Sequence, residues 1–546
     1  MKKFLMLVAV MACSLASVAQ NAASPSQIDE VQLRKFMLAL SCIQHLYVDD
    51  VDSKKLIEDA LKGMIKELDP HSSYTSSQDV AELNEPLNGS FEGIGVQYNM
   101  NEDTLVVIQP VVGGPSESVG IVAGDKIVTV NDTAIAGVKM TRKEIMRRLR
   151  GPKGSKVNLG VLRRGEKGLK TFVVIRDKIP LHTVDGYYMI DKTAGYLRIS
   201  SFGATTHDEF VSAVKYLQAQ GMKDLVIDLQ GNGGGYLQTA VEIADDLFDN
   251  NELIVYTDGR RVGRRDFRAK PGKMDINKVV VLVDGYSASA SEILSGAIQD
   301  NDRGTIVGRR TFAKGLVQRP LPLPDGSEIR LTVAHYYSPV GRCFQKPYVK
   351  GDRKSYDSDM LDRLNSGELT NIDSIHFPDS LKFKTKGGRI VYGGGGVMPD
   401  VYVPLDTTRY TRFHRELVAK NCIIQASLKF LDKHRNELSK LYNIDAYKKS
   451  KLKFTKGKDV MVDDSGFQRF KAEYEINQEL IDILLEKAKE SKVEYDDSAL
   501  KASLPMIKIQ LKALLARDLW DMNEYFQVIN PSSDIYAAGL KALKNS

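Results

Sequence analysis

Cysteine is scarce. There are four in 546 residues, Cys13, Cys42, Cys343 and Cys422, and they show no paired spacing. At most one disulfide can form among the last three, leaving an odd thiol, so disulfides do not hold this chain together. The eight histidines form no His-Glu-x-x-His and stand in no Cys-x-x-Cys…His set, so no metal and no cofactor is expected. Charge of one sign is barely in excess. Seventy-six Lys and Arg face 70 Asp and Glu, a net charge of +6, which gives no reason to expect nucleic acid as a partner. Internal repeats and low-complexity tracts are absent, and Trp520 is the sole tryptophan. What remains is ordinary globular material, 42% hydrophobic and 27% charged. At about 150 residues per domain the length implies three or four domains.

The first residues stand apart. Lys2 and Lys3 precede an apolar run over 4–15, and Ser17 and Ala19 occupy the −3 and −1 places before Gln20. This order reads as a secretory signal at 1–19. The run is too short for a stable membrane anchor. An exported protein is expected, in a periplasm first, with association to the inner or outer membrane left open. Cys13 follows Val10-Met11-Ala12, where Met11 takes the place of a small residue, so lipidation is the minority reading.

A helical arm follows at 20–87. Leu33, Phe36, Met37, Leu40 and Ile43 fall three or four apart, as do Leu56, Ala60, Leu61 and Ile65. Asp69-Pro70-His71-Ser72-Ser73 is a turn cluster. Residues 88–180 read as a small β domain with strands at 104–108, 126–130, 157–162 and 171–175 and helical pieces at 116–119 and 141–149. Over 181–405 strands alternate with helices. The strands fall at 195–199, 224–229 and 279–283, and the helices at 206–218, 235–247 and 288–299. Continuous apolar strands between helices predict an α/β sheet covered on both faces. Residues 346–386 interrupt it as a polar surface insertion. Residues 406–546 are helical near 410–436, 467–492 and 497–517, with Pro505 and Pro531 limiting the lengths.

Three segments carry chemistry. Gly285-Tyr286-Ser287-Ala288-Ser289-Ala290-Ser291-Glu292 joins an apolar strand to a helix. A serine there can present its hydroxyl above the sheet end, with the next amide aimed at an oxyanion. Ser287, Ser289 or Ser291 can equally cap the helix, with Glu292 in its first turn, and that segment alone favours capping. In Thr311-Phe312-Ala313-Lys314-Gly315-Leu316-Val317-Gln318 a lysine sits among small and apolar residues. Desolvation there favours the neutral amine that a general base needs, although a lone lysine is more often exposed. Gln318, four positions on, returns to the same face and can hold that amine. Asp228-Leu229-Gln230-Gly231-Asn232-Gly233-Gly234-Gly235 is a glycine-rich turn after a buried strand. It has neither the order of a dinucleotide site nor that of a phosphate loop, and it can donate a second oxyanion amide.

Together these segments resemble the C-terminal processing peptidases, or tail-specific proteases, over residues 27 to about 405. The resemblance includes Asp69-Pro70-His71-Ser72-Ser73-Tyr74, Ser90-Phe91-Glu92-Gly93-Ile94-Gly95-Val96 and Pro399-Asp400. Ala313 stands where the family often has glycine. The resemblance implies a multidomain α/β protein. Its crotonase/ClpP-like α/β protease core at 181–405 would carry a PDZ β-domain at 88–180, with helical N- and C-terminal regions. It puts the nucleophile on Ser289, the base on Lys314 and the orienting residue on Gln318, with oxyanion amides from Ala290 and from Gly234 or Gly235. The Gly93-Ile94-Gly95 backbone would hold a peptide carboxylate, beside Phe91, Ile94 and Val96 and opposite the helix at 141–149.

The implied function is a serine endopeptidase acting through an acyl-enzyme, with activity falling as the lysine becomes protonated. Its expected partners are proteins or peptides with apolar C-termini. An adaptor protein, a homodimer and a higher oligomer stay open, and tail binding is expected to couple to assembly of the catalytic site. A catalytically silent peptide-binding scaffold is the alternative, opposed by intact Ser289, Lys314 and Gln318. An acyl-CoA enzyme on the crotonase-like core is opposed by the signal and the PDZ-like region. An assembly protein built on its terminal helices is the third.

Overall fold

The computed structural model describes residues 29–545, apart from 102, 112 and 456–460. The expected signal at 1–19, with Cys13, lies outside the described residues. Helices Glu30–Leu46 and Ser53–Lys66 form the arm, capped by Asp29 and Asp52, whose carboxylates accept from Val31 N and Lys55 N. The first helix buries none of its residues, and Leu33, Phe36, Met37 and Ile43 stay exposed on it.

Asp69 ends the arm. Its carboxylate accepts from the backbone of His71 and Ser72 and from the Ser72 hydroxyl, a side-chain turn that redirects the chain. Strand Ser73–Thr75 then pairs antiparallel with Glu328–Tyr337.

The small β domain is an antiparallel sheet in the order Val96–Asn101, Thr104–Pro110, Lys126–Val130, Lys156–Leu162, Lys170–Ile175. Alternation turns Val157, Leu159 and Val161 inward and Lys156, Asn158 and Leu162 outward, with Gly160 buried between. Helix Arg142–Leu149 closes the domain by burying Ile145 and Leu149. Strands Ser90–Gly93 and Asp177–Pro180 pair where the chain enters and leaves it. Ion pairs Lys143–Asp79, at 2.9 Å, and Arg150–Glu85 tie it to the arm.

The core sheet runs Val184–Met189, Ala194–Ile199, Asp224–Asp228, Val279–Val283, Thr305–Gly308, Val401–Tyr402; the first pair is antiparallel and the rest are parallel. Its apolar strands are covered on both faces. Val279, Val281 and Val283 join Phe210, Ile243 and Leu294 from helices Thr206–Ala219, Leu237–Asp245 and Ala290–Asp300. Val280 and Leu282 turn the other way, onto Phe526, Ile535, Tyr536 and Leu543. These come from Met522–Ile529 and Asp534–Asn545, the last two helices of the chain. Gly539 permits the close approach: a β-carbon there would stand 2.5 Å from Leu282 Cδ2. The end of the chain therefore supplies the second cover of the sheet.

A second sheet forms around the long strand Glu328–Tyr337, with Ser73–Thr75 and Leu253–Asp258 on one edge and Leu316–Pro322 on the other. In the C-terminal bundle the segment expected near 410–436 is two helices, Arg412–Ala419 and Cys422–Leu441, separated at Asn421, whose φ is +56°. Pro505 does not limit its helix, which runs Asp497–Leu519 straight through it. An interior proline costs about 3 kcal/mol. Ile507, Leu511, Leu515 and Leu519 of the same helix are buried in the bundle core, each contributing about 1.5–3 kcal/mol, which outweighs that cost. Pro531 does interrupt, in the turn Asn530–Ser532 before the last helix.

The polar insertion is not merely surface. Its helix Arg353–Asn365 buries Tyr356 and Arg363. Cys42, Cys343 and Cys422 are free thiols. Among the described residues no helix is long and apolar enough to cross a membrane.

Candidate active site

Strand Val279–Val283 is buried throughout and ends at Asp284, whose carboxylate gathers the amides of Gly231, Tyr286 and Ser287. This locks the strand-to-helix turn against the glycine-rich turn. Two of the three serines then spend their hydroxyls on bracing. Ser287 Oγ donates to Leu229 O at 2.8 Å, and Ser291 Oγ donates to Asn232 O at 2.9 Å. Ser289 is left at the N-cap position of helix Ala290–Asp300, with φ +57° and ψ −113°. A residue with a β-carbon stays there only when its surroundings force it, and such strain gathers at functional sites. Of the three serines, Ser289 is the one whose backbone takes the N-cap position.

Glu292, in the first turn of the helix, organises the site. It is fully buried. Its Oε2 accepts from Ser289 N and from Lys314 N, both at 2.8 Å. Its Oε1 accepts from Thr311 Oγ1 at 2.6 Å and Ala313 N at 2.7 Å. One carboxylate therefore joins the backbone of Ser289 to that of Lys314. Burial pushes its pKa up, and these donors oppose the shift. The sequence marks Glu292 as a first-turn acid and no more. Its other partners lie 19 to 22 residues away along the chain.

Lys314 leads into strand Leu316–Pro322, and its Nζ donates to Gln318 Oε1 at 3.1 Å. Burial lowers its pKa, Arg330 lowers it further, and Glu292 and Asp69 pull the other way. Ala313, at φ +75°, makes the turn a glycine would make without strain. Gln318 pairs with Thr332, whose hydroxyl donates to Asp69 Oδ1 at 3.0 Å. The turn at the end of the arm thus buttresses the strand beside Gln318. His71 in that turn is held down to about 3, mainly by burial and next by Lys314, and so is neutral at physiological pH. Tyr336 is buried, and its hydroxyl interacts with the Ser289 side chain. Neither residue carries a sequence signal that would place it here.

The glycines divide. Gly234 is pressed against the serine: a β-carbon on it would stand 2.7 Å from Ser289 Cβ and 3.0 Å from Ala290 N. Its own N–H donates to Asn232 Oδ1 at 2.8 Å. Gly235 lies against Phe202, where a β-carbon would meet Phe202 O at 2.1 Å. Ala290 N–H, at the first helical position, has no intrahelical acceptor and is part of the positive end of the helix dipole.

The peptide-binding candidates lie in the small β domain, apart from this cluster. Ile94 is buried in that domain's core, so its side chain packs the fold. Gly95 turns the chain at φ +70°, and Ile94 O accepts from both the amide and the hydroxyl of Ser116. Phe91 is half-buried under the Arg150 guanidinium, 5.2 Å from its ring centroid. Val96 begins strand Val96–Asn101, which among the described residues is paired on one edge, with Thr104–Pro110. Arg142, at the start of helix Arg142–Leu149, donates to Tyr98 Oη on that strand at 3.0 Å.

Comparison with known proteins adds an independent result. "Peptidase family S41" matches residues 193–355, "PDZ domain" 93–173 and "Activating protease CtpB N-terminal domain" 6–79; a family of unknown function matches 452–521. A carboxy-terminal-processing protease of Bartonella bacilliformis is 35% identical over 320 residues, 58% of this chain and 73% of that protein. A carboxyl-terminal-processing protease of Picosynechococcus is 38% identical over 292 residues, 52% of this chain and 69% of that protein. Among solved structures, a photosystem II D1 C-terminal processing protease is 27% identical with a TM-score of 0.35, covering 68% of this chain and 92% of the other.

Proposed function

The chain belongs to the carboxy-terminal processing proteases of peptidase family S41, serine peptidases that carry a PDZ domain, and from that premise we propose its chemistry, its substrates and its compartment. Ser289 is the nucleophile, Lys314 the general base and Gln318 the residue that orients the amine. Neutral Lys314 takes the Ser289 proton, and Oγ attacks a peptide carbonyl. The amide of Ala290, at the helix N-terminus, stabilises the oxyanion, while Gly234, whose own N–H is taken by Asn232 Oδ1, lets the glycine-rich turn close against Ser289. Lys314 then delivers the proton to the leaving amine, and water hydrolyses the acyl-enzyme with Lys314 again as base. The observation that carries this reading is the shared hydrogen bonding of Ser289 N and Lys314 N to one oxygen of Glu292, with Lys314 Nζ on Gln318.

The sign of the pH dependence follows. The base acts only when neutral, and its pKa is lowered from 10.5. On the acid side of that pKa, kcat falls about tenfold per pH unit. A kcat profile measured from acid to alkaline pH checks this, and a profile flat on the acid side contradicts a lysine base.

The single-partnered edge of Val96–Asn101 supports addition of a substrate tail as a further strand, with its carboxylate on the Gly93-Ile94-Gly95 turn. Apolar tails are the favoured substrates. Unfolded reporters identical except for an apolar or a charged C-terminal tail test this. The apolar tail is expected to lower KM at least about tenfold, and equal KM values contradict the assignment. Export rests on the signal read at 1–19. The apolar residues left exposed along Glu30–Leu46 support self-association through the arm, and an adaptor remains compatible with it.

A further inference from the structure

We propose that helix Arg353–Asn365 of the polar insertion is a positioning element for Lys314, with Arg363 as its principal positioning residue. This rests on the serine-lysine reading above and extends it to a segment that reading does not use. The S41 match ends at residue 355, three residues into this helix.

Tyr356, Asp359, Met360 and Arg363 recur at helical spacing and share one face. That face meets the base segment. Arg363 is buried, and its guanidinium donates to Thr311 O at 2.8 Å and to Arg310 O and Phe312 O at 3.4 Å. Its charge is balanced by Asp359 at 2.9 Å and Glu368 at 3.8 Å. Arg310, the residue just before the segment, forks onto the same Glu368 and reaches Gly395 O. Tyr356 Oη meets His71 Nε2 at 2.9 Å and accepts from Gln345 Nε2 at 3.4 Å. Gln345 Oε1 in turn accepts from Gly315 N at 2.9 Å. Met360 packs over the nucleophile turn, where a β-carbon on Gly285 would stand 2.4 Å from its Cε.

The base segment therefore lies between two holders. Its amides at Ala313 and Lys314 face Glu292, and its carbonyls at Arg310, Thr311 and Phe312 face Arg363. The left-handed turn at Ala313 sits between the two sets. A strained turn of this kind keeps its shape only while both sides are held. Losing the outer holder lets the turn relax and moves the amine from Ser289, without touching the serine, the tail-binding domain or the glycine-rich turn.

The test uses the mature full-length chain and an unfolded reporter with an apolar tail. Arg363→Ala is expected to lower kcat about 100-fold, the scale of a small misplacement of a reacting group, with KM unchanged. Arg363→Lys restores part of the loss, because it keeps the charge and loses the planar fork. The acid limb of kcat moves to higher pH in Arg363→Ala, because the displaced amine is better solvated and burial is the main cause that lowers its pKa. Arg330, Glu292, Asp69 and His71, which act on Lys314 or lie beside it, are not substituted in any variant. Tyr356→Phe keeps the ring and removes its hydrogen bonds to His71 and Gln345. It is expected to fold and to lose about tenfold in kcat, with the limb moving the same way. Wild-type kcat and an unmoved acid limb in both variants overturn the proposal. So does a loss in Arg363→Ala that equals its unfolded fraction while the limb stays in place. A wild-type chain that does not cleave, or a Ser289→Ala chain that does, overturns the serine-lysine reading itself and this inference with it.

Discussion

Ser289→Ala and Lys314→Ala each lower kcat/KM by at least about 10⁴-fold, and the double variant is no worse than either alone. The two groups perform one proton transfer, so removing either removes the same step. Lys314→Arg is the sharper form of the experiment. It keeps a cation of similar length beside Gln318, yet a guanidinium is not deprotonated in a protein, so it is expected to be as inactive as alanine. If arginine restores activity, Lys314 works as a positive charge and the base lies elsewhere. The base variant also has a stability signature. A partly buried amine is costly to hold, so Lys314→Met is expected to unfold at no lower temperature than the wild type, read by circular dichroism. Lost activity with retained or raised stability separates a chemical role from a structural one.

Glu292 carries the second large effect. Its carboxylate accepts from four donors, three of them backbone amides. Alanine leaves those donors facing a void. Each unsatisfied buried donor costs about 1–3 kcal/mol, so Glu292→Ala is expected to lose at least about 3 kcal/mol of stability. Glu292→Gln is the informative variant. It keeps the shape and one acceptor oxygen, and in either flip it turns an amide NH₂ toward at least one backbone N–H donor. Expected is a folded protein with kcat down about 100-fold and KM close to wild type, because tail binding resides in another domain. Steady-state kinetics with a melting curve checks this. Normal kcat in a folded Glu292→Gln protein contradicts its role as the tie between Ser289 and Lys314.

How far the sequence reveals these features depends on how local they are. The strand-turn-helix around Ser289 is contiguous, so a buried apolar run followed by small residues shows it. The alternation of Val157, Leu159 and Val161 likewise announces a half-buried strand. Glu292 reads as an ordinary first-turn acid, because three of its donors come from another segment. Asp69 reaches Thr332 across 263 positions, and His71 reaches Tyr356 across 285. Neither contact has a periodic signature. The apolar strand at Val279–Val283 says that both faces are covered, and it does not say by what. The second cover comes from the far end of the chain, through Phe526, Tyr536 and Leu543. The insertion reads as surface because its composition is polar. Among its buried members, Arg363 satisfies its guanidinium on the base segment and Tyr356 its hydroxyl on His71 and Gln345, which composition cannot distinguish from solvation.

The most direct test of the serine-lysine assignment is mass spectrometry of the full-length mature chain after reaction with a peptidyl phosphonate ester, which a nucleophilic serine attacks at phosphorus to leave a stable adduct. The expected result is one adduct, mapped to Ser289, forming more slowly as pH falls and absent from Lys314→Ala. An adduct on another residue, or labelling of Ser289 at an undiminished rate in Lys314→Ala, would contradict it.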